Sequence, residues 1–228
     1  MVTKYYPYIL LFTLLLIIVF HVFVNRPEML QSPSLGNLHT HTTCSDGHDD
    51  YETMIQSALD LNFKFIAITD HKICPEVIQR CLSETRIYCI PGLEITSNRT
   101  HLLAINITKT INPYQPITKQ VAEVHAQGGL AIAAHPYVEI FKYTPDELTG
   151  SGIDAMECTD TPNEPHPLPC IFTSDAHRAS ALKFQYLSCM GQINTFSDLK
   201  NALFSSSCSR SFVPNTNLFP PTPTPLLP

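Results

Sequence analysis

The 228-residue sequence has no C-x-x-C pair among its eight cysteines, no run of basic residues and no internal repeat. The first absence argues against a thiolate zinc finger, which takes closely spaced cysteine pairs. The second, with 14 Lys+Arg against 20 Asp+Glu and a formal net charge of −6, argues against nucleic acid as a partner held through a broad cationic footprint. Setting aside Lys4 and Arg26 leaves a body more acidic still. Such a body still admits a small phosphorylated substrate, because bound metal ions would reverse the sign locally.

What is present begins with an apolar run. Residues 5–24 carry no formal charge and are almost wholly apolar, and about 20 such residues let a helix cross a bilayer core. The run exceeds the roughly 7–15 residues of a signal-peptide core, and no A-x-A-like site follows it. The reading is therefore an uncleaved anchor over residues 1–27 and a single-pass membrane protein, with a cleaved signal as the competing reading. Lys4 and Arg26 flank the run on opposite sides, so the positive-inside rule leaves the side of the membrane open. The even cysteine count permits disulfides in an oxidising compartment. Buried free thiols in a reduced one fit equally well. The N-x-[ST] triplets at Asn98 and Asn106 arise often by chance and carry little weight.

The length fits one domain with appendages. Residues 28–34 read as a linker, 35–212 as the domain, and 213–228 as a Pro-rich disordered tail. Within the domain, apolar runs at 35–39, 64–69, 86–94, 101–106, 130–134, 153–158 and 170–174 read as strands. Stretches at 50–61, 75–84, 116–127 and 196–204 read as helices, the first with Met54, Ile55, Ala58 and Leu59 on one face. Strand–helix alternation of this kind predicts an α/β fold with a mainly parallel sheet, open or closed into a barrel.

The chemistry lies in where histidines and carboxylates fall. In LHTHTTCSDG, His39 and His41 are two apart and point the same way along a strand, with Asp46 on the loop beyond. Asp70 and His71 follow the strand ending in ITDH, Glu94 ends the strand in PGLE, and His135 follows LAIAA. Asp175 and His177 follow CIFTS. In α/β sheets the carboxyl ends of parallel strands are where sites assemble. His101 opens its strand instead, and fits if that strand runs antiparallel to its neighbour after a tight turn at 96–100. The pattern predicts one pocket of imidazoles and carboxylates, a donor set suited to Zn, Mn or Fe.

Each part alone has a plainer explanation. His-x-His is often incidental, a histidine after a strand is often packed or capping, and Asp70 could cap the next segment. The set argues otherwise, because six of the ten histidines occupy these junctions. His21 lies in the apolar run, and His48, His125 and His166 fall outside the pattern as surface residues.

In this order HTHTTCSDG, ITDH, GLE, the histidine of HLLAI, AAHP and SDAH resemble the motifs of the PHP (polymerase and histidinol phosphatase) superfamily, over residues 35–205. The resemblance implies a distorted (β/α)7 barrel and a metal-dependent phosphoesterase with two or three divalent ions, Zn, Mn or Fe. It implies that His39, His41, Glu94 and Asp175 hold one ion, that Glu94 bridges to a second held with His101 and His135, and that Asp46, His71 and His177 hold a third. Asp46 stands where some members use His. The large insertion of nucleotide-phosphate members is missing, which argues against that substrate class. The mechanism implied is attack on phosphorus by a metal-bound hydroxide, without a side-chain nucleophile. Arg178, Lys72 and Arg99 are the candidate substrate-side cations, Arg178 first among them. Two alternatives remain: an amidohydrolase-like enzyme acting on amide or ester bonds, and a membrane-tethered metal-binding protein without catalysis.

Overall fold

The computed structural model describes residues 32–97, 99–138, 140, 142–158 and 167–213, and those from Pro33 onward form one compact unit. The apolar run at 5–24 and the tail beyond 213 lie outside the described residues. The strands are β1 (Ser34–Asn37), β2 (Phe63–Ile68), β3 (Tyr88–Thr96), β4 (His101–Ile105), β5 (Leu130–Ala134), β6 (Ala155–Glu157), β7 (Cys170–Ile171), β8 (Tyr186–Cys189) and β9 (Cys208–Ser211). The helices are α1 (Tyr51–Asp60), α2 (Pro75–Ser83), α3 (Ile117–Ala126), α4 (Pro145–Gly150) and α5 (Phe196–Phe204).

Local chemistry explains the helices. Asp50 caps α1 by accepting from the Thr53 amide, and Tyr51, Met54, Ile55 and Ala58 form its buried stripe. Pro75 opens α2, where its missing N–H costs nothing. Thr195 and Asp198 close a reciprocal capping box on α5.

The strands form one sheet in the order β7-β6-β5-β4-β3-β2-β1-β8-β9, and its end strands β7 and β9 approach each other, so the sheet curls into a nearly closed barrel. Phe65, Ala67, Ile90, Leu103, Ile105, Ile132 and Ala134 fill the inside. The alternate positions face outward: Ile66 and Ile68 pack under α1 and α2, while Leu102, Ala104, Ala131 and Ala133 pack under α3 and α4. Fully burying one such Leu or Ile contributes about 1.5–3 kcal/mol.

Two expectations are corrected here. The sheet is mixed rather than mainly parallel, since β3–β4, β4–β5, β1–β8 and β8–β9 pair antiparallel, while its nearly closed curl fits the distorted barrel that the resemblance implies. The physical reason is connection length. A parallel crossover needs a dozen or more residues, whereas β3 reaches β4 through the short turn between Thr96 and His101. The second correction concerns the membrane. Among the described residues no helix is long and apolar enough to cross one, so the single-pass placement expected from residues 5–24 has no support in the structure.

All eight cysteines are paired, which decides between the two readings left open by their number. Cys81–Cys89 ties α2 to β3, Cys158–Cys170 ties the end of β6 to β7, and Cys189–Cys208 joins directly facing positions of β8 and β9. Cys44–Cys74 links the loops after β1 and β2.

Candidate metal centre

The segment after β1 continues extended and is held on both sides. Thr40 bridges Ala176 through His41 N–H to Ala176 O at 2.9 Å and Ala176 N–H to His39 O at 3.2 Å, and Thr69 N–H donates to Thr40 O at 2.9 Å. Alternation turns the Thr40 hydroxyl to Ala67 O at 2.6 Å and sends both neighbouring imidazoles to the opposite side, with ring centroids 5.1 Å apart. The loop carrying Asp46 then folds back over this segment. Gly47 N–H donates to Thr42 O at 3.0 Å, and a Cβ on Gly47 would lie 2.4 Å from His41 O, so only glycine allows that approach. Asp70 is buried and accepts from Thr42 N–H at 2.7 Å, the Thr42 hydroxyl at 2.7 Å and the Ser45 hydroxyl at 2.6 Å. It anchors the loop and belongs to no donor cluster.

The antiparallel turn explains His101. Glu94 faces Leu103 across β3–β4, His101 faces Thr96, and His101 also faces Ala134 across β4–β5. The carboxyl ends of β3 and β5 and the amino end of β4 therefore meet at one rim. Glu94 Oε1 lies 2.8 Å from His101 Nδ1 and 3.1 Å from His135 Nε2. Its Oε2 lies 3.0 Å from His39 Nε2 and 3.1 Å from His41 Nε2. Asp175 Oδ1 stands 3.1 Å and 3.2 Å from the same two nitrogens. Asp46 Oδ2 is 3.3 Å from His71 Nε2 and 3.2 Å from His177 Nε2.

The nine expected ligands thus fall into three overlapping groups: His39, His41, Glu94 and Asp175; Glu94, His101 and His135; His41, Asp46, His71 and His177. Within each group the donor atoms lie within 4.8 Å of one another. Glu94 and His41 each belong to two groups. His135 and Asp175 have φ values of 28° and 48°, a left-handed backbone that non-glycine residues adopt only where the surroundings enforce it.

Charge follows the same geometry. Burial opposes the charged form of Glu94, yet the His39 charge and hydrogen bonds from His101, His135 and His39 hold its carboxyl far below the usual range. Asp175 is lowered likewise: burial opposes this, but His39 and His41 outweigh it. Asp46 is lowered by His71, His41 and His177 against a burial penalty. Burial disfavours the His39 imidazolium, but Glu157, Glu94 and Asp175 raise its pKa well above the usual value.

The donor set fits divalent cations. Both ring nitrogens of His41 and Oδ1 of Asp175 are buried without a hydrogen-bond partner, although Nε2 is only 3.2 Å from that oxygen. Buried polar atoms left so are costly unless another group completes them. Adjacent ligands about 2.1 Å from one ion would stand about 3 Å apart, the spacing seen between these atoms. Imidazole and carboxylate without thiolate suit Zn, Mn or Fe.

The other candidates separate. Arg99 is engaged on the surface by Glu147, with Nη1 3.0 Å from Oε2, and by Lys142 O at 3.2 Å, which removes it from the substrate-side cations. Arg178 and Lys72 are exposed next to His177 and His71. His125 pairs with Asp154 at 2.8 Å, and His21 and His166 lie outside the described residues. Sequence reasoning missed Glu157, which is buried at the end of β6, 2.8 Å from His39 Nδ1. The strand-end rule that singled out Glu94 would have found it.

Comparison with known proteins agrees with this fold. A family model described as the PHP domain matches residues 37–156. An uncharacterized protein of Methanocaldococcus jannaschii is 26% identical over 139 residues, covering 54% of this chain and 79% of that protein. A two-domain protein of Bacteroides vulgatus, containing a predicted PHP-like metal-dependent phosphoesterase, shares the fold with a TM-score of 0.60 and 18% identity, over 79% of this chain and 65% of that one. The lesion-specific endonuclease PfuEndoQ of Pyrococcus furiosus does so with a TM-score of 0.64 and 16% identity, over 78% of this chain and 57% of that one. The chain spans less than two thirds of either of these two solved structures.

Proposed function

The chain belongs to the PHP domain family, and on that premise we propose that it hydrolyses phosphoric esters of small substrates with two or three divalent ions, Zn, Mn or Fe. The observation that carries the reading is the overlap of the three donor groups through Glu94 and His41. Isolated sites would not share ligands; a site that grips one phosphate from several sides would. His39, His41, Glu94 and Asp175 would hold one ion, Glu94, His101 and His135 a second, and Asp46, His71 and His177, joined by His41, a third. Bound there, such ions supply Lewis acidity for phosphate oxygens and lower the pKa of water towards neutrality.

The chain's own residues do the rest. Glu94, Asp175 and Asp46 supply the negative charge that offsets cations. His39 and His41, both fully buried, exclude water from the floor. Asp46, His71 and His177 are partly exposed and leave the rim open to substrate. Arg178 and Lys72, exposed on the loops after His177 and His71, would be the cations that meet phosphate oxygens. The phosphoester reading is favoured over amide or ester hydrolysis because a carboxylate, Glu94, occupies the shared position where a bridging lysine would be expected of an amidohydrolase-like site. The full set of nine donors, gathered into three groups, weighs against a metal-binding protein without chemistry.

The test is an assay of the full chain with added Mn or Zn against a phosphomonoester, a phosphodiester and a short single-stranded oligonucleotide. Hydrolysis of the first or second, abolished in His39→Ala and Glu94→Ala, is expected. Activity unchanged in both variants sinks the proposal, and cleavage of the oligonucleotide alone would move the substrate class to nucleic acid, on which the Pyrococcus enzyme acts by its name.

A further inference from the structure

Resting on that reading, we infer that Glu157 is a positioning residue which couples two of the cation groups through opposite oxygens of one carboxylate. Glu157 ends β6 and is 7% exposed. Its Oε1 accepts from His39 Nδ1 at 2.8 Å and from the Thr173 hydroxyl. Its Oε2 accepts from the backbone N–H of His135 at 2.6 Å. His39 belongs to the group with His41, Glu94 and Asp175, and His135 to the group with Glu94 and His101.

Two consequences follow from this geometry. A carboxylate acceptor at Nδ1 keeps a proton on that nitrogen, so Nε2, 3.0 Å from Glu94 Oε2 and 3.1 Å from Asp175 Oδ1, is the nitrogen that would give up its proton and turn a lone pair to a cation. The second oxygen holds the peptide of His135, whose φ of 28° is uncommon for a histidine, and so sets where its ring enters the neighbouring group. The rings of His39 and His135 stack 6.0 Å apart with an interplanar angle of 21°. Glu157 does not itself face the cations, because it lies against the nitrogen of His39 that points away from them. It therefore acts through His39 and His135.

Glutamine separates positioning from packing. Glu157→Gln keeps the size of the side chain but has one acceptor where the carboxylate has two. An amide oxygen turned to His39 turns an NH2 to the His135 N–H, and the reverse orientation opposes donors at His39. Affinity for Mn, measured by calorimetry on the full chain, should fall 10–100-fold in E157Q, with the thermal transition of the metal-free protein retained. In the Zn-loaded wild type, long-range 1H–15N spectra should show His39 protonated at Nδ1. Unchanged Mn affinity and stoichiometry in a folded E157Q, while His39→Ala loses metal, overturns this inference and leaves the proposed function standing. A wild type that takes up no metal overturns both. If E157Q does not fold, the His39 tautomer decides: protonation at Nε2 overturns the inference.

Discussion

Glu94 Oε1 stands 2.8 Å from His101 Nδ1, across a hairpin whose arms meet at Thr96 and His101. That contact exists because β4 runs back along β3, bringing a residue from the start of one strand to the end of another. Glu94 also serves the group containing His39, so its loss should empty two positions where loss of His135 empties one. Glu94→Gln is expected to retain less metal by elemental analysis than His135→Ala. Its activity should fall by more than the 10–100-fold usual for losing a group behind a ligand. Equal metal content in the two variants would contradict the shared role.

The metal-free protein should lose stability as pH rises above about 6.5. The folded state holds the His39 proton more tightly than the unfolded chain does, because Glu157, Glu94 and Asp175 outweigh burial. That contribution is full below the unfolded pKa of about 6.5 and is lost as pH rises through the higher folded value. Glu94 and Asp175 have lowered folded values. Their contribution is present above about 4 and is lost as pH falls through those values. Thermal scans of chelator-treated protein should therefore show Tm falling as pH rises above about 6.5. Added metal competes with these protons, so the Tm gain from Mn or Zn should grow over the same interval. A gain that shrinks with pH would contradict the assignment.

Gly47→Ala should damage one group selectively. A methyl at that position would lie 2.4 Å from His41 O, so the loop must lift and carry Asp46 with it. Overpacking of this kind costs about 1–3 kcal/mol. Metal titration should show weakened uptake at the group of His41, Asp46, His71 and His177, with the group of Glu94, His101 and His135 retained. Loss at all groups alike would mean the loop has a wider structural role.

The Cys44–Cys74 bond ties together the loops that carry Asp46 and His71, across a sequence separation of 30. In the chain-entropy view, closing a loop of that size contributes about 3–4 kcal/mol. The double variant Cys44→Ser with Cys74→Ser should lower the denaturant midpoint and weaken the same rim group. Non-reducing peptide mapping of the wild type should return all four pairs; a free thiol at either position would remove the basis for this prediction.

Arg99 and Arg178 should behave differently in kinetics. Arg99 is about half exposed and paired with Glu147, so Arg99→Ala should leave kcat/KM unchanged and cost no more than about 1 kcal/mol of stability. Arg178→Ala should raise KM for a phosphoester with smaller change in kcat. The opposite order would put phosphate contact on the other side of the site.

Much of this arrangement was legible from local patterns. The strand at 130–134 and the helix at 196–204 fall where the apolar spacing placed them. His101, the one donor at the start of a strand, required an antiparallel neighbour, and β3–β4 supplies it. Other features were not legible. The short strands β8 and β9 have no long apolar run to mark them; β8 is fixed by pairing with β1, and β9 by pairing with β8. Arg99 looked free because Glu147, 48 residues away, is brought to it only by the fold. Glu157 carried the strand-end signal, but its partner His39, 118 positions earlier, is brought to it only by the fold.

The sequence by itself determined the donor types and their placement at strand ends, because alternation along a strand and caps on a helix are properties of neighbouring residues. Which donors lie within reach of one another, which cysteines pair and which carboxylate meets which imidazole were decided only by the tertiary structure. Those relations depend on strand order and register, where a slip of one residue would turn Glu94 or His101 to the opposite face of the sheet. Nothing local encodes that choice; it is settled by the burial of the whole barrel interior at once.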